Sequence, residues 1–271
     1  MLSEQQREEF FERGLTCLPG ALPPQLAEGM VSRIWQALEE SQGLQRDDPN
    51  TWIEGGVRGI GHLNREPEFR PFGSPRIRSA LDNLLGKDNW RQPSSWGQIL
   101  VTFPAKSWSW NSLFQGQVKL SRIPWHTDFS YDTPPHEIWG AQVFCLLADL
   151  EPGGGGTLAI EGSHHLIRKF VVQASRETLQ KMKRARQAFL KSHPWLQQVS
   201  RAVSGPRPEA WMARQRAVID DIPVRVVELT GQAGDVYLTH PWLLHAPSPN
   251  CNARPRLMCT QRIRKHSQGP Q

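Results

Sequence analysis

The chain has 271 residues, 38% of them apolar and 21% charged, enough for one large domain or two small ones of ordinary globular composition. No apolar run approaches the roughly eighteen residues of a membrane-spanning helix, and the acidic start MLSEQQREEFFERG lacks the apolar stretch of a secretory signal. The net charge of +6 comes with no recognised nucleic-acid motif, so a nucleic-acid partner is not expected.

Residues 3–13 predict a helix opened by Ser3 and Gln6 as a capping box. GLTCLPG then reads as a short strand ending in a turn, and residues 24–42 as a second helix. Gly- and Pro-dotted loops at 55–75 lead to a short helix near 75–86. From about residue 97 the pattern changes to strands: GQILVTF, GQVKLSRI, AQVFCLL, TLAI, VRVVEL, DVYLT and LMCTQRI. Short β-branched runs without regular helices between them indicate a β-sandwich or barrel rather than a parallel α/β sheet.

A helical stretch over 175–203 interrupts the strands, with Ser175 as N-cap and Leu179, Met182 and Phe189 on one apolar stripe. Pro194 should break or restart it. Such an excursion can form a lid over a pocket or pack on the outside of the sandwich. Residues 168–186 carry Arg168, Lys169, Arg176, Lys181, Lys183, Arg184 and Arg186 against Glu177 alone. A solvated helix face explains such a run; attraction of an anionic substrate is the sharper reading. Cys17, Cys145, Cys251 and Cys259 show no C-x-x-C spacing, which favours reduced thiols in a cytoplasmic protein over zinc or disulfides. The simplest organisation is one domain: N-terminal helices over about 1–90, a β core over about 95–265 and a helical insertion over about 170–215.

The chemistry concentrates in IPWHTDFSYDTPP at 123–135. On an extended chain, side chains two apart share a face, so His126 and Asp128 point the same way. Alone this pair is weak. Further on, GDVYLTHPWLLHAPSPNCNARPRLMCTQRI runs from a strand into His240-Pro241, presents His245 on a turn, and opens another strand at Arg256. Two histidines and one carboxylate from separate strands make the facial triad of non-haem Fe(II) oxygenases, with positions left open for a cosubstrate and O₂. A planar guanidinium such as Arg256 grips the far carboxylate of an iron-chelating keto acid through two charge-assisted hydrogen bonds.

These residues resemble the phytanoyl-CoA dioxygenase family of Fe(II)/2-oxoglutarate-dependent oxygenases, from about Phe10 to Ile263. The likeness is carried by HTD at 126–128, by ADLEPGGGGTLAIEGSHH at 148–165, and by GDVYLTHPWLLHAPSPNCNARPR. It implies a double-stranded β-helix, a cupin-like jelly roll, mainly β with flanking helices. It makes His126, Asp128 and His245 the iron ligands and gives Arg256 the C5 carboxylate of 2-oxoglutarate, with Thr157 as a second cosubstrate contact. The implied activity is hydroxylation of an unactivated C–H bond of a small organic substrate, with Fe(II) as the cofactor and 2-oxoglutarate and O₂ as cosubstrates, releasing succinate and CO₂. Glu161 departs from the proline of the family's P-G-[ST]-H segment, and Pro247 from a serine that can touch the cosubstrate. Trp108, Trp110, Trp125, Trp139 and Trp242 gather around the expected site, and Trp110 and Trp139 are candidates to line the substrate pocket. His240 reads as a packed histidine, and Arg254 as the fallback if the register shifts by one pair. The rival function is a jelly-roll module that binds metal or ligand without turnover.

Overall fold

The computed structural model describes residues 1–106, 109–114, 122–202 and 209–266. α1 (Glu4–Arg13) starts on the expected capping box, Ser3 Oγ accepting from Gln6 N while Gln6 Oε1 accepts from Ser3 N. It ends at Gly14, whose φ of 85° is the left-handed turn into β1 (Leu15–Leu18). A Cβ at Gly14 would lie 2.6 Å from His164 Nδ1, so the residue is required by space as well as by backbone. α2 (Pro24–Gln42) buries Ala27, Met30, Val31, Ile34 and Leu38 on one face, the i, i+3, i+4, i+7 spacing of an amphipathic helix. Short 3-10 turns and β2 (Gly55–Gly56) precede α3 (Pro75–Leu85), which Ser74 caps.

The strands follow: β3 (Gln98–Phe103), β4 (Gly140–Leu146), β5 (Leu158–Glu161), β6 (Arg216–Ile219), β7 (Ile222–Glu228), β8 (Val236–Thr239), β9 (Leu244–Ala246) and β10 (Arg256–Arg264). They form two antiparallel sheets, ordered β1-β8-β4-β10-β3-β2 and β6-β7-β5-β9. This is the expected jelly roll. Most of GQVKLSRI, residues 116–121, lies outside the described residues, as does Trp108.

Between β5 and β6 run α4 (Ser163–Gln173), α5 (Arg176–Leu179), α6 (Met182–Lys191), α7 (Pro194–Val199) and α8 (Glu209–Met212). Ser175 and Pro194 start helices as expected, but the single stretch over 175–203 is three short helices. α4 escaped sequence reading because it lacks a capping side chain: Gly162 (φ 78°) opens it, and a Cβ there would meet Pro223 O at 2.3 Å.

Three apolar layers separate the functions. Leu257, Cys259 and Ile263 of β10 join Ala141, Val143 and Cys145 of β4 in packing against α2 and α3. The opposite faces of those strands place Phe144, Leu146 and Met258 between the sheets, with Ala159 of β5. Outside the smaller sheet, Leu158, Ile160, Val224 and Val226 pack with Ala185 and Phe189 of α6 and Leu196 and Val199 of α7. The insertion is therefore an outer wall of the sandwich. All four cysteines are free. Among the described residues no helix is long and apolar enough to cross a membrane.

Candidate metal centre

His126 and His245 face each other across an isolated antiparallel bridge, His126 N donating to His245 O (2.8 Å) and His245 N to His126 O (2.9 Å). His245 lies in β9, not on the turn expected from sequence, and pairs on its other edge with Ala159 of β5. LHA is too short to show alternation, so its strand character comes from its neighbours. The His126 and His245 ring centroids are 4.4 Å apart, and His245 Nε2 lies 3.6 Å from Asp128 Oδ2. One ligand atom from each of His126, Asp128 and His245 falls within 4.8 Å of the others. Among the described residues no other group of His, Cys, Asp or Glu does this.

The two imidazoles are oriented alike. His126 Nδ1 pairs with Pro124 O at 2.9 Å and His245 Nδ1 with Leu243 O at 3.1 Å. A carbonyl can only accept, so each Nδ1 carries the proton and each Nε2 is left bare for a metal. Burial, then the nearby His245, pushes His126 down to about 4, so its ring is neutral at pH 7. Burial acts to raise the Asp128 carboxyl, but the nearness of His245, His126 and Arg262 holds it below the usual range. Two imidazoles with bare Nε2 atoms and one carboxylate fit a divalent transition metal.

Phe144 packs edge-on to His245, centroids 5.6 Å apart, and shares the inter-sheet layer with Met258. Two residues along β10, Arg256 is 6% exposed. Its Nη2 donates to Thr102 Oγ1 at 2.6 Å and its Nη1 meets Met258 Sδ at 3.1 Å, while Nε has no partner. Burial lowers its pKa to about 10 against the pull of Glu228, so it stays charged at neutral pH. Among the described residues no carboxylate comes within ion-pair distance of it. Thr157 is buried, with Oγ1 3.8 Å from Met258 Sδ. Arg254 is exposed. The loop before Arg256 is pinned by buried Asn250, whose Nδ2 donates to Thr102 O and Arg254 O.

Trp110 is sealed at 1% exposure and donates to Pro247 O (2.9 Å). Trp125 and Trp242 are buried too, donating to Val199 O and Ser130 O. Half-buried Trp139 stands edge-on to Phe129, the neighbour of Asp128, with centroids 4.9 Å apart. The glycine run is a turn fastened by Glu228, whose carboxylate accepts from Gly153 N and Gly156 N, each at 2.7 Å. Glu161, opposite Arg225 in register, forms an ion pair with it. Sequence reading missed Thr102, Gln142 and Asn250, buried polar residues on strands and loops that carry no motif.

No curated protein sequence matches the chain. Solved structures do. The epimerase SnoN, in complex with Fe3+, alpha ketoglutarate and nogalamycin RO, is 16% identical with a TM-score of 0.56, over 96% of this chain and 82% of that one. HygX from Streptomyces hygroscopicus, with nickel and 2-oxoglutarate bound, is 14% identical at TM-score 0.55, over 97% and 87%. The carbocyclase SnoK from nogalamycin biosynthesis is 18% identical at TM-score 0.54, over 98% and 85%. At these identities they establish the shared fold. The sequence profile of Phytanoyl-CoA dioxygenase (PhyH) matches residues 10–258. The chain belongs to the phytanoyl-CoA dioxygenase family, an oxygenase-type enzyme group whose cofactors are Fe(II), 2-oxoglutarate and O₂.

Proposed function

We propose that the chain holds Fe(II) on His126, Asp128 and His245, takes 2-oxoglutarate with its C5 carboxylate on Arg256, and hydroxylates an unactivated C–H bond of a small organic substrate. The observation that carries the reading is the triad, three ligand atoms within 4.8 Å with both Nδ1 protons turned onto backbone carbonyls. Three protein ligands leave room for a chelating keto acid and O₂. Iron supplies O₂ activation and the oxidative decarboxylation that yields succinate and CO₂.

The chain's own residues position and seal. Pro124 O and Leu243 O fix the imidazole tautomers. Thr102 Oγ1 orients the Arg256 guanidinium for a carboxylate, which supplies the counter-ion that a buried cation requires. Thr157 offers a hydroxyl in the same layer. Phe144 and Met258 keep that layer dry, so charge-assisted bonds there are strong. Trp139 packs on Phe129, the neighbour of Asp128, and is a candidate to meet substrate; Trp110 holds the segment after β9 from behind.

The test is anaerobic. Fe(II), then 2-oxoglutarate, is added to metal-stripped protein, and the weak visible charge-transfer band of a chelated keto acid is sought. The band should form in the wild type and be lost in His245→Ala; iron binding without the band would mean a metal site of another kind. Uncoupled succinate release on admitting O₂ separates an enzyme from a binding module. With a substrate in hand, a product heavier by one oxygen supports hydroxylation, whereas unchanged mass or loss of two hydrogens would replace it with epimerisation or ring closure.

A further inference from the structure

Side chains alternate along β10, so Arg256, Met258, Thr260, Arg262 and Arg264 share one face. The function proposed above uses Arg256 and leaves the two arginines at the far end of that column without a task. Both are exposed, and among the described residues neither makes an ion pair. Arg264 is held with its guanidinium carbon 5.3 Å from the centroid of the Phe129 ring, beside Asp128. Arg262 lines the same cavity as Asp128.

These arginines border a cavity of about 490 Å³ that reaches the metal ligand Asp128 and is walled by Ser94, Gln98, Gln142 and Thr260. Pro93 is the sole apolar side chain in that wall. Gln142 is 3% exposed; its Nε2 donates to Thr260 Oγ1, and its Oε1 has no partner. A buried amide arm left unpaired is costly, and a hydroxyl or amine on a ligand would relieve it.

Two unpaired guanidiniums call for carboxylate or phosphate oxygens. The near absence of apolar wall disfavours an acyl chain or a flat polycyclic ring, and the arginines disfavour a cation. We infer that this cavity binds the substrate, and that the substrate is a small anion bearing a hydroxyl or amine. Its acid group sits on Arg262 and Arg264, its hydroxyl or amine on Gln142, and its carbon chain beside Asp128. The substrate role rests on the function proposed above; the anion site rests on the cavity alone. The basic run at 168–186 does not line the cavity. Arg184 is paired with Glu177, and Lys169 donates to Asp220 O.

Calorimetric titration of the metal-free protein at low salt tests the site with glycerol 3-phosphate, glycerate, inorganic phosphate and glycerol. At least one of the two hydroxylated anions should bind at one per chain, the identity telling phosphate from carboxylate, while glycerol should not bind. R262Q/R264Q should weaken that binding at least tenfold, and K183E/R184E should leave it unchanged. Binding at Arg256 would survive R262Q/R264Q, so an unweakened anion in that variant overturns the inference, as does failure of both hydroxylated anions to bind the wild type. Q142L should weaken the hydroxylated anion about threefold or more and spare inorganic phosphate; an equal effect on both removes the hydroxyl contact. The iron–keto-acid band, recorded on the same proteins, separates the two readings. A band without anion binding sinks this inference alone, and anion binding without a band sinks the catalytic reading and the substrate role with it, leaving the anion site.

Discussion

Among the described residues two histidine pairs distant in sequence stand close together, and one of them belongs to a ligand-spaced group. His126 and His245 both turn Nδ1 onto a backbone carbonyl two residues earlier, leaving each Nε2 near Asp128. His164 and His240, with ring centroids 4.7 Å apart, are wired the other way. His164 spends Nε2 on Phe11 O (2.9 Å), and His240 Nδ1 accepts from Trp242 N (3.1 Å). No carboxylate joins them in a ligand-spaced group. Burial lowers both rings, His164 to about 3, so neutrality alone does not make a ligand. What distinguishes the pairs is which nitrogen the backbone contact leaves protonated, and whether an acid completes the set.

The sharpest way to break this contrast is to remove the acid. Asp128→Ala should abolish the iron–keto-acid band, with Fe(II) affinity falling beyond the ~10–100-fold typical of losing a residue that merely supports a ligand. His240→Gln should keep the band; losing it there would put His240 in the metal site. Next comes the buried cation that has no ion-pair partner among the described residues. Arg256→Ala should cost roughly 3–5 kcal/mol of 2-oxoglutarate binding, about two to four decades. An unchanged Kd by titration would pass the carboxylate to another residue, exposed Arg254 first.

Ser163 links the two pairs, since its hydroxyl accepts from Leu244 N at 2.9 Å, one residue before each pair's own histidine. Ser163→Ala strands a buried N–H and should cost about 1–3 kcal/mol by urea unfolding. The smallest effect is in pH. His164 is depressed in the folded state, so its stabilisation is complete above its unfolded value near 6.5 and is lost as pH falls through about 3. His164→Gln should flatten the stability–pH curve below pH 6.5 by up to ~1.4 kcal/mol per unit. A curve of unchanged slope would mean that this ring does not titrate on unfolding.

Much of this was legible in the chain because the informative residues stand in extended runs. His126 and Asp128 share a face by the alternation of a strand, and VRVVEL, DVYLT and LMCTQRI announce their strands by composition. Illegible features depended on partners far away. The three-residue β9 is a strand only because β5 and the His126 segment flank it. α4 begins on a left-handed glycine instead of a capping side chain. Thr102 matters because Arg256, 154 positions later, reaches it, and Gln142 because Thr260 does, 118 positions later. The basic run at 168–186 and the basic tail from Arg254 to Lys265 both stand out by density, but the chain alone does not show that Arg262 and Arg264 of the tail, two apart on β10, are the ones that share a cavity with Asp128.

β10 also imposes a reading frame on the chemistry. Arg256 and Arg262 are six residues apart on one continuous strand, so at about 3.4 Å per residue their backbones stand roughly 20 Å apart. One residue inserted or deleted between them would turn one arginine to the helix-packed face and bring an apolar neighbour inside. Length changes at this site are therefore tolerable only in pairs, and even a pair would move the two anchors about 7 Å relative to each other. If the two proposals hold, the distance between the group that grips the keto acid and the group that grips its companion is written into the chain as a count.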